Sequence, residues 1–526
     1  MTAPVKTPPY RSQLTSARNG FGQLLHAEWT KLRTVPRWGL VLLSAMTLTV
    51  LISVLAVSGS SVQGGGPAMT VGPDGTAVKD TMELVHQQLP GDGSITARVS
   101  GLKSLKASAP DGGRAGGPPA VNTGKTPGWT KAGVVIKANT KAGSSYVAVI
   151  KTYGHGVRMQ WDYVHDVAGN AVPPEEDRWL RLVRKGDVLT GYESADGRDW
   201  RQVGSVRLAG LTGTVEAGVF TAAAPNTKVE RRFGGTSVAE GPGRATAHFD
   251  EPTVEGGRAG WQQTVIGAPG TADGNPAANP AANPAADLAS GSFDLEGSGD
   301  VAPLQTNNDI TRQTLSGAMI GLIPFSALGV LFITAEFRRG MIRTTLTAGP
   351  RRGRVLTAKA IVLGGVTFVA GLIATVLSFM IGEPIMRRNG HKPPSWPDPA
   401  LTDGPVLRAV IGTAALLAVV SVLALALGAL LRRTAAAITL IVVVLVLPQI
   451  LISGLPLGAA HALMRATPLA GFAIQDTITR YDQASAICLP EEGCYPQGPW
   501  SGFAVLCAYA AVALGLAIWR LRRRDV

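Results

Sequence analysis

Six uninterrupted apolar runs dominate the pattern of hydrophobic and polar positions along the chain. They lie near residues 38–57, 315–334, 360–382, 409–431, 435–457 and 501–519. Each run approaches or exceeds the roughly 20 residues that a helix needs to cross a bilayer core, and none contains Asp, Glu, Lys, Arg or His. The pattern predicts six transmembrane helices. The first run is too long, and its polar N-terminal flank too extended, for a cleaved signal peptide.

Between the first two apolar runs the pattern changes to short alternating segments separated by Gly, Asn and Asp. The candidate strands are residues 94–99, 132–138, 146–151, 157–163, 179–184, 188–194, 200–206 and 216–221, with 245–249 as a closing strand. Regularly spaced short strands with turn residues between them indicate a sandwich or jelly roll. The predicted fold class is therefore a polytopic α-helical membrane protein with six transmembrane helices and a large extracellular all-β sandwich between helices 1 and 2.

These patterns divide the 526-residue chain into successive regions. The sequence GNPAANPAANPAAD at 274–287 repeats NPAA three times without charge, which predicts a semi-rigid tether. The predicted regions are a cytoplasmic N-terminus with an amphipathic interface helix (1–37), transmembrane helix 1 (38–57), a β-sandwich (58–256), a linker (257–312), and transmembrane helices 2–6 (313–526) with a cytoplasmic loop at 335–359.

Charge sets the predicted orientation. The formal net charge is +13, from 49 Lys and Arg against 36 Asp and Glu. Basic residues flank the apolar runs at 31–37, 335–359, 432–433 and 520–524, all on one side of the membrane if six helices cross it. Residues 387–392 are a basic exception on the other side. We expect a multi-pass protein of the plasma membrane with both termini cytoplasmic and the β-sandwich extracellular. No compact basic domain points to nucleic acid.

The most basic of these segments is AEFRRGMIRTTLTAGPRRGRVLTAK, residues 335–359. A topology signal needs only charge, whereas this segment places Glu336 at the end of an apolar run, Gly340 among arginines, and Gly349–Pro350 as a break. That order is typical of a short helix lying along the membrane and facing a soluble partner. Simple solvation beside lipid headgroups remains the alternative, and it is the reading that we assign to Arg351, Arg352 and Arg354.

This segment resembles the first cytoplasmic loop of bacterial, and in particular actinobacterial, type-two ATP-binding-cassette (ABC) transporter permeases. The N-terminal sequence HAEWTKLRTVPRW, residues 26–38, is similar to the interface helix before the first span in that family. Leu24, Leu25, Trp29 and Leu32 would share its apolar face, with Glu28, Lys31 and Arg33 on the polar side. The resemblance implies an ATPase-coupling interface formed by Glu336, Arg338, Arg339, Gly340 and Arg343 together with Glu28, Trp29, Lys31 and Arg33.

The resemblance also implies the partners of the chain. These are an ABC ATPase subunit, a second permease copy in a homodimer or heterodimer, and the lipid bilayer. The chain itself lacks a phosphate loop, because Gly124–Lys125–Thr126 follows Pro119 where the motif needs glycine. We therefore expect no enzyme activity, cofactor or metal site in this chain, with ATP and Mg bound by the partner. An ion-driven carrier is disfavoured because the apolar runs have no ionisable relay residue.

The predicted sandwich resembles concanavalin A-like (laminin G-like) modules. The residues that carry this resemblance are WTKAGVVIKANT (129–140), WLRLVRKGDVLTGYESADGRDWRQVGS (179–205) and VEAGVF (215–220). Such modules are often attached to glycan-active enzymes, which indicates a binding or shielding domain, with cell-surface glycan as a candidate partner and Trp161, Tyr163 and His165 as the candidate contacts. The alternative function is accordingly a membrane-anchored protein that binds or senses surface glycan without transport.

The chain contains three cysteines, too few for a disulfide scaffold. Cys488 and Cys494 share the last predicted extracellular loop, where oxidising conditions permit a disulfide. Cys507 lies within the last apolar run and is expected to serve packing.

Overall fold

The structure is a computed structural model and describes residues 20–61, 69–105, 126–232, 235–241, 243–258, 260–267, 291–305, 309–338, 352–484 and 486–523. Its α-helices are α1 (Phe21–Thr34), α2 (Pro36–Ser58), α3 (Ile310–Thr314), α4 (Gly317–Arg338), α5 (Arg352–Arg388), α6 (Gly404–Leu431), α7 (Thr434–Leu445), α8 (Leu447–Ile452), α9 (Leu457–Ala466) and α10 (Pro499–Arg523).

Six helical segments in the described residues are long and apolar enough to cross a membrane, which confirms the predicted number. Five of them are α2, α4, α5, α6 and α10, and α7 with α8 form the remaining one, Thr434–Ile452. The fifth predicted run continues to residue 457, but the fifth helical segment ends earlier. The α-helix breaks between Leu445 and Leu447, just before Pro448, whose ring has no N–H to donate. A buried 3-10 helix, Pro468–Gln475, follows α9 and packs against α6 and α10.

The β domain lies between α2 and α3 in the chain. Its strands are β1 (Val78–Asp80), β2 (Met82–Leu89), β3 (Gly93–Ser104), β4 (Lys131–Lys137), β5 (Tyr146–Thr152), β6 (Val157–Trp161), β7 (His165–Ala168), β8 (Arg178–Lys185), β9 (Val188–Ser194), β10 (Arg201–Arg207), β11 (Val215–Ala222), β12 (Asn226–Arg232), β13 (Gly235–Gly241), β14 (Arg244–Glu255), β15 (Gln262–Ile266), β16 (Ser292–Ser298) and β17 (Val301–Pro303).

Two antiparallel sheets form the sandwich. One has the strand order β10-β9-β8-β3-β14-β16, and the other has the order β15-β2-β11-β4-β5-β6-β7. Apolar side chains that alternate along these strands, among them Val134, Leu180 and Phe249, fill the space between the sheets. A second apolar cluster, containing Tyr146 and Phe220, buries the outer face of the seven-stranded sheet. This double coverage explains why β4 and β5 are buried along their whole length.

The β domain continues past its predicted boundary at residue 256. Strand β15 pairs with β2 and strand β16 pairs with β14, so both belong to the sandwich although their residues were predicted as linker. Phe293 and Leu295 of β16 enter the core, while the Gly, Ser and Asp residues around them give the segment the composition of a loop. The NPAA repeats at 274–287 lie outside the described residues.

Loops between the helices hold the β domain against one end of the helical bundle, hereafter the β-domain end. Gln483, in the loop after the 3-10 helix, donates to the carbonyl oxygens of Tyr163 (3.2 Å) and Val164 (2.9 Å). Gln305, after the last strand, donates to the Thr479 carbonyl at 3.2 Å. The β domain is thus attached to the helices by hydrogen bonds as well as by its two chain connections.

Candidate functional site

Helix α1 lies at the end of the bundle opposite the β domain. It ends at Thr34, and Pro36 begins α2 at a position where the absent N–H costs nothing. The buried residues of α1 are Glu28 and Leu32, one helical turn apart. The predicted division of its faces is therefore wrong for Glu28, which shares the packed face with Leu32. Charge alone placed it on the polar side, whereas its ionic partners draw it inward.

Four charged side chains meet beneath α1, and we call Glu28, Lys31, Glu336 and Lys359 the ionic cluster. The Lys359 Nζ atom lies 2.5 Å from Glu28 Oε2 and 2.7 Å from Glu336 Oε1. Lys31 completes the group, with its Nζ atom 2.8 Å from Glu28 Oε1 and 3.3 Å from Glu336 Oε1. The ionic cluster therefore links α1 to the end of α4 and the beginning of α5.

Burial makes this group more than a surface salt bridge. The side chain of Lys359 is 1% exposed, against 3% for Glu28 and 8% for Glu336. Two carboxylates and two ammonium groups balance, which is the condition under which charges remain buried. The Lys359 ammonium also lies 4.7 Å from the centre of the Phe332 ring, a cation–π contact.

Lys31 occupies the open side of the ionic cluster, with 41% of its side chain exposed. Partial burial alone would lower the pKa of Lys31, but hydrogen bonds and attraction from Glu28 and Glu336 outweigh burial and raise it. Lys31 therefore stays protonated at neutral pH. Water screens the charge of Lys31 but not that of the buried Lys359. Lys359 therefore provides most of the neutralisation of the Glu28 and Glu336 carboxylates.

The remaining predicted coupling residues fall into two groups. Trp29 is 44% exposed and Arg33 is also exposed, so both lie on the outer side of α1. Arg338 is the last residue of α4, while Arg339, Gly340 and Arg343 lie outside the described residues. Glu28 and Glu336 are too buried to touch another protein directly, so the structure corrects that part of the predicted interface. They join helices within the chain instead.

Lys359 was present in the basic segment but absent from the predicted site. The sequence does carry a signal for Lys359, which is a lone lysine among apolar residues in VLTAKAIV. An unpaired charge at such a position would be costly, so the lysine should have an acidic partner elsewhere in the chain. In addition, Glu336 Oε2 is buried without a hydrogen-bond partner among the described residues, so it can accept one further donor.

Other helix ends converge near the ionic cluster. The Thr434 hydroxyl donates to the Thr334 hydroxyl at 3.0 Å, which joins the beginning of α7 to the end of α4. Arg520 of α10 donates to the Leu430 carbonyl of α6 at 2.9 Å. Arg432, in the left-handed conformation with φ of 56°, ends α6 and turns the chain into α7. Helices α4, α6, α7 and α10 are thus fastened together at this end.

The three candidate glycan contacts do not form one accessible surface. Tyr163 is fully buried, and its hydroxyl donates to Asp80 at 2.7 Å, so its predicted contact with glycan is wrong. The apolar cluster on the outer face of the seven-stranded sheet encloses its ring. Trp161 is half-buried and stacks on the exposed His165 ring, with 5.0 Å between ring centres. These two residues alone remain candidates.

Cys488 and Cys494 are joined by a disulfide bond in the structure. The bond closes a short loop that contacts the β domain, because Glu491 in this loop pairs with Arg231 of β12. Arg231 also donates to the Ile452 carbonyl at the end of α8 at 2.8 Å. Cys507 is a free thiol within α10.

Together, the fold and site define a multi-pass membrane protein with an inserted β domain and a buried ionic cluster at the opposite end of its helices. A family model described as ABC-2 family transporter protein matches residues 188–526, more than half of the chain. The protein therefore belongs to the ABC-2 transporter family of membrane permeases. The match begins at strand β9 and includes every helix from α3 onward.

Other comparisons add little. No curated protein matches the chain. A functionally unknown protein from Saccharomyces cerevisiae is 14% identical, with a TM-score of 0.15, and the alignment covers 26% of this chain and 62% of the yeast chain. Scytalido-glutamic peptidase with a transition state analog inhibitor is 8% identical, with a TM-score of 0.21, over 35% of this chain and 88% of the peptidase chain. Similarity this weak supports no functional conclusion, and the concanavalin A-like assignment stays a prediction.

Proposed function

We propose that the chain is the permease subunit of an ATP-driven exporter, in which a separate ATPase subunit supplies the energy. Membership of the ABC-2 family supports the transport role. The observation that carries the coupling proposal is the ionic cluster, because Lys359 and Glu336 lie on the two helices that flank the basic segment 339–351. In this proposal the cluster end is cytoplasmic and the β domain is extracellular.

The ionic cluster supplies a physical route from the segment to the helices. A force on residues 339–351 acts on the end of α4 and the beginning of α5, which are their covalent neighbours. Separating α1 from these helices would leave buried carboxylates unpaired, and that is strongly unfavourable. Helix α1 therefore moves together with α4 and α5. Since α1 leads directly into α2, three membrane-spanning helices share the movement.

The proposed division of labour assigns contact and transmission to different residues. Arg338, Arg339 and Arg343 contact the ATPase, together with the exposed Trp29 and Arg33 of α1. The buried Glu28, Glu336 and Lys359 transmit the movement inside the chain. ATP and Mg bind the ATPase, and the permease acts as a dimer with the cargo path between its copies.

The test is capture of the ATPase by tagged full-length permease from its native membranes. We expect the captured protein to contain a phosphate-loop motif and to hydrolyse ATP. Changing Arg338, Arg339 and Arg343 to alanine should abolish capture. The matched control changes Arg351, Arg352 and Arg354 to alanine, which removes the same charge from the other half of the segment and should leave capture intact. Equal loss in both variants would reduce the segment to a nonspecific basic surface and refute the proposal.

The alternative, a surface glycan-binding or sensing protein without transport, is carried by the half-buried Trp161 and exposed His165. The two stacked rings lie at the β6–β7 hairpin. Gln483, in the loop after the 3-10 helix, donates hydrogen bonds to two carbonyl oxygens in the turn of this hairpin. Deletion of residues 69–303, with a short linker in their place, distinguishes the two. Loss of glycan binding with retained export would make the β domain an accessory to transport, whereas glycan binding by the intact protein with neither ATPase capture nor export would favour the alternative.

A further inference from the structure

A basic cavity of about 570 Å³ opens at the β-domain end of the helices. Helices α6, α9 and α10 and the loops after the 3-10 helix form its walls. The lining residues used below are Arg408, His461, Arg465, Asp476, Arg480 and Gln497. The ionic cluster lies at the other end of the helices, so this cavity takes no part in the proposed coupling.

Positive charge in the cavity exceeds negative charge. Asp476 is the acidic residue of the lining, and its Oδ2 atom already accepts from Arg480 at 2.8 Å. Arg465 donates to the Pro496 carbonyl at 3.0 Å, and Arg408 donates to the Asp476 carbonyl. Two arginines are therefore bonded to backbone oxygen and are not neutralised by a carboxylate within the described residues.

Two lining residues also carry donor groups without acceptors. The Arg408 Nε and Gln497 Nε2 atoms are both buried and have no hydrogen-bond partner among the described residues. A buried donor without a partner is costly, so rotation of either side chain toward the cavity would be favourable once an anion there supplies the acceptor. Helix α10 begins at Pro499, which lines the cavity, so the positive end of its dipole adds to the attraction for an anion.

We propose that this cavity binds a phosphate-type anion. Guanidinium groups form paired, charge-assisted hydrogen bonds with phosphate oxygens, and Gln497 can donate to the same group. His461 donates through Nε2 to the Cys488 carbonyl at 2.9 Å, which positions its ring at the wall. The phosphate belongs either to a lipid headgroup at the membrane surface or to a free anion, because both present the same oxygen atoms.

The experiment uses the full-length protein in detergent and has two arms. Native mass spectrometry measures retention of phosphatidylglycerol against phosphatidylcholine. Thermal stabilisation measures inorganic phosphate against chloride at constant ionic strength. The test variant is Arg408→Gln with Arg465→Gln. The matched control is Arg388→Gln, an exposed arginine of α5 at the same end of the bundle but outside the cavity.

We expect the double variant to bind its anion at least tenfold more weakly than the wild type, and the control to bind normally. An effect in the lipid arm assigns the cavity to a headgroup, and an effect in the phosphate arm alone assigns it to a free anion. Arg465→Gln alone covers the case in which the double variant fails to fold, because Arg465 is exposed. Equal binding by the wild type, Arg388→Gln and the double variant in both arms would overturn the proposal, whatever the outcome of the ATPase capture; where the double variant does not fold, Arg465→Gln takes its place in this comparison.

Discussion

Replacement of Lys359 by methionine tests the central structural element of the coupling proposal. Methionine fills much of the same volume but removes the charge that Glu28 and Glu336 share, at 2.5 and 2.7 Å. Both carboxylates then remain buried with only Lys31 beside them. Removing one partner of a buried ion pair costs about 3–5 kcal/mol. We expect this cost to appear as weaker docking of α1 onto α4 and α5.

Thiol labelling measures that docking directly. Leu32 of α1 is 6% exposed, so a cysteine at this position reacts only when the helix opens. The background variant is Cys507→Ser, which removes the free thiol of α10. At about 1.4 kcal/mol for each factor of ten, Lys359→Met should accelerate labelling of Leu32→Cys by roughly 100-fold or more. Trp29→Cys is the reference, because residue 29 is already 44% exposed and should label quickly in every variant.

Two companion variants separate charge from packing. Lys31→Met removes an equal charge from a side chain that is 41% exposed, and exposed pairs contribute at most about 1 kcal/mol, so labelling should rise only a few-fold. Combining Lys359→Met with Glu336→Gln restores neutrality, leaving Glu28 paired with Lys31, and should recover much of the protection. If Lys359→Met labels no faster than Lys31→Met, burial does not govern the ionic cluster and the reasoning is refuted.

Two further predictions concern packing and pH. Gly412→Val should lower the free energy of unfolding by about 1–3 kcal/mol in detergent, because a Cβ atom at residue 412 would lie 2.2 Å from Ile474 Cγ1. Gly365→Val is the control and should be nearly neutral, because a Cβ atom at residue 365 would have no neighbour within 4 Å. The second prediction concerns the pKa of His248. Burial alone would lower this pKa, but hydrogen bonds and attraction from Asp294 and Asp250 outweigh burial and raise the pKa above 6.5. Its stabilisation of the β domain is therefore fully present below about pH 6.5 and lost as pH rises through the folded-state pKa, so the difference in melting temperature between wild type and His248→Asn should shrink with rising pH.

The helical fold could be predicted from the sequence because membrane spans require long apolar runs without charge. The interruption before Pro448 and the buried 3-10 helix Pro468–Gln475 were harder to predict. The second of these contains glycine and proline and resembles a loop. Its buried state depends on contacts with α6 and α10, which are far away in sequence and leave no local pattern.

The β domain shows the same limit. Strands such as β4 and β8 carry strong β-branched or alternating patterns and lie where the sequence predicts them. Strand β16 was predicted as linker because only Phe293 and Leu295 mark it among loop-forming residues. Tyr163 was predicted as a glycan contact because it lies close in sequence to Trp161 and His165, with which it could form a stacking surface. Its partner Asp80 lies 83 positions away, so no local signal reveals its burial.

The candidate site divides in a similar way. The basic flanks and the position of Glu336 can be read from the sequence, and they point to the end of α4 and the beginning of α5, where the ionic cluster lies. The sequence does not reveal that Lys359 joins Glu28 across 331 positions. Charge patterning treats each acidic residue as exposed, whereas a complementary charge elsewhere in the chain allows it to be buried. Glu28 and Glu336, which are buried between helices, were consequently predicted as residues that contact the partner.

The two charged sites should differ in their response to salt. In the ionic cluster the opposite charges are balanced and buried, so added salt screens them little and α1 should stay docked at high ionic strength. In the basic cavity, the excess charge of Arg408 and Arg465 attracts an anion from solution or from the membrane surface, where screening is effective. Anion binding should therefore weaken between about 0.1 M and about 0.5 M salt, while labelling of Leu32→Cys should not change. If added salt weakened anion binding and also accelerated labelling of Leu32→Cys, the ionic cluster would be open to water. That result would contradict the buried geometry on which the coupling proposal depends.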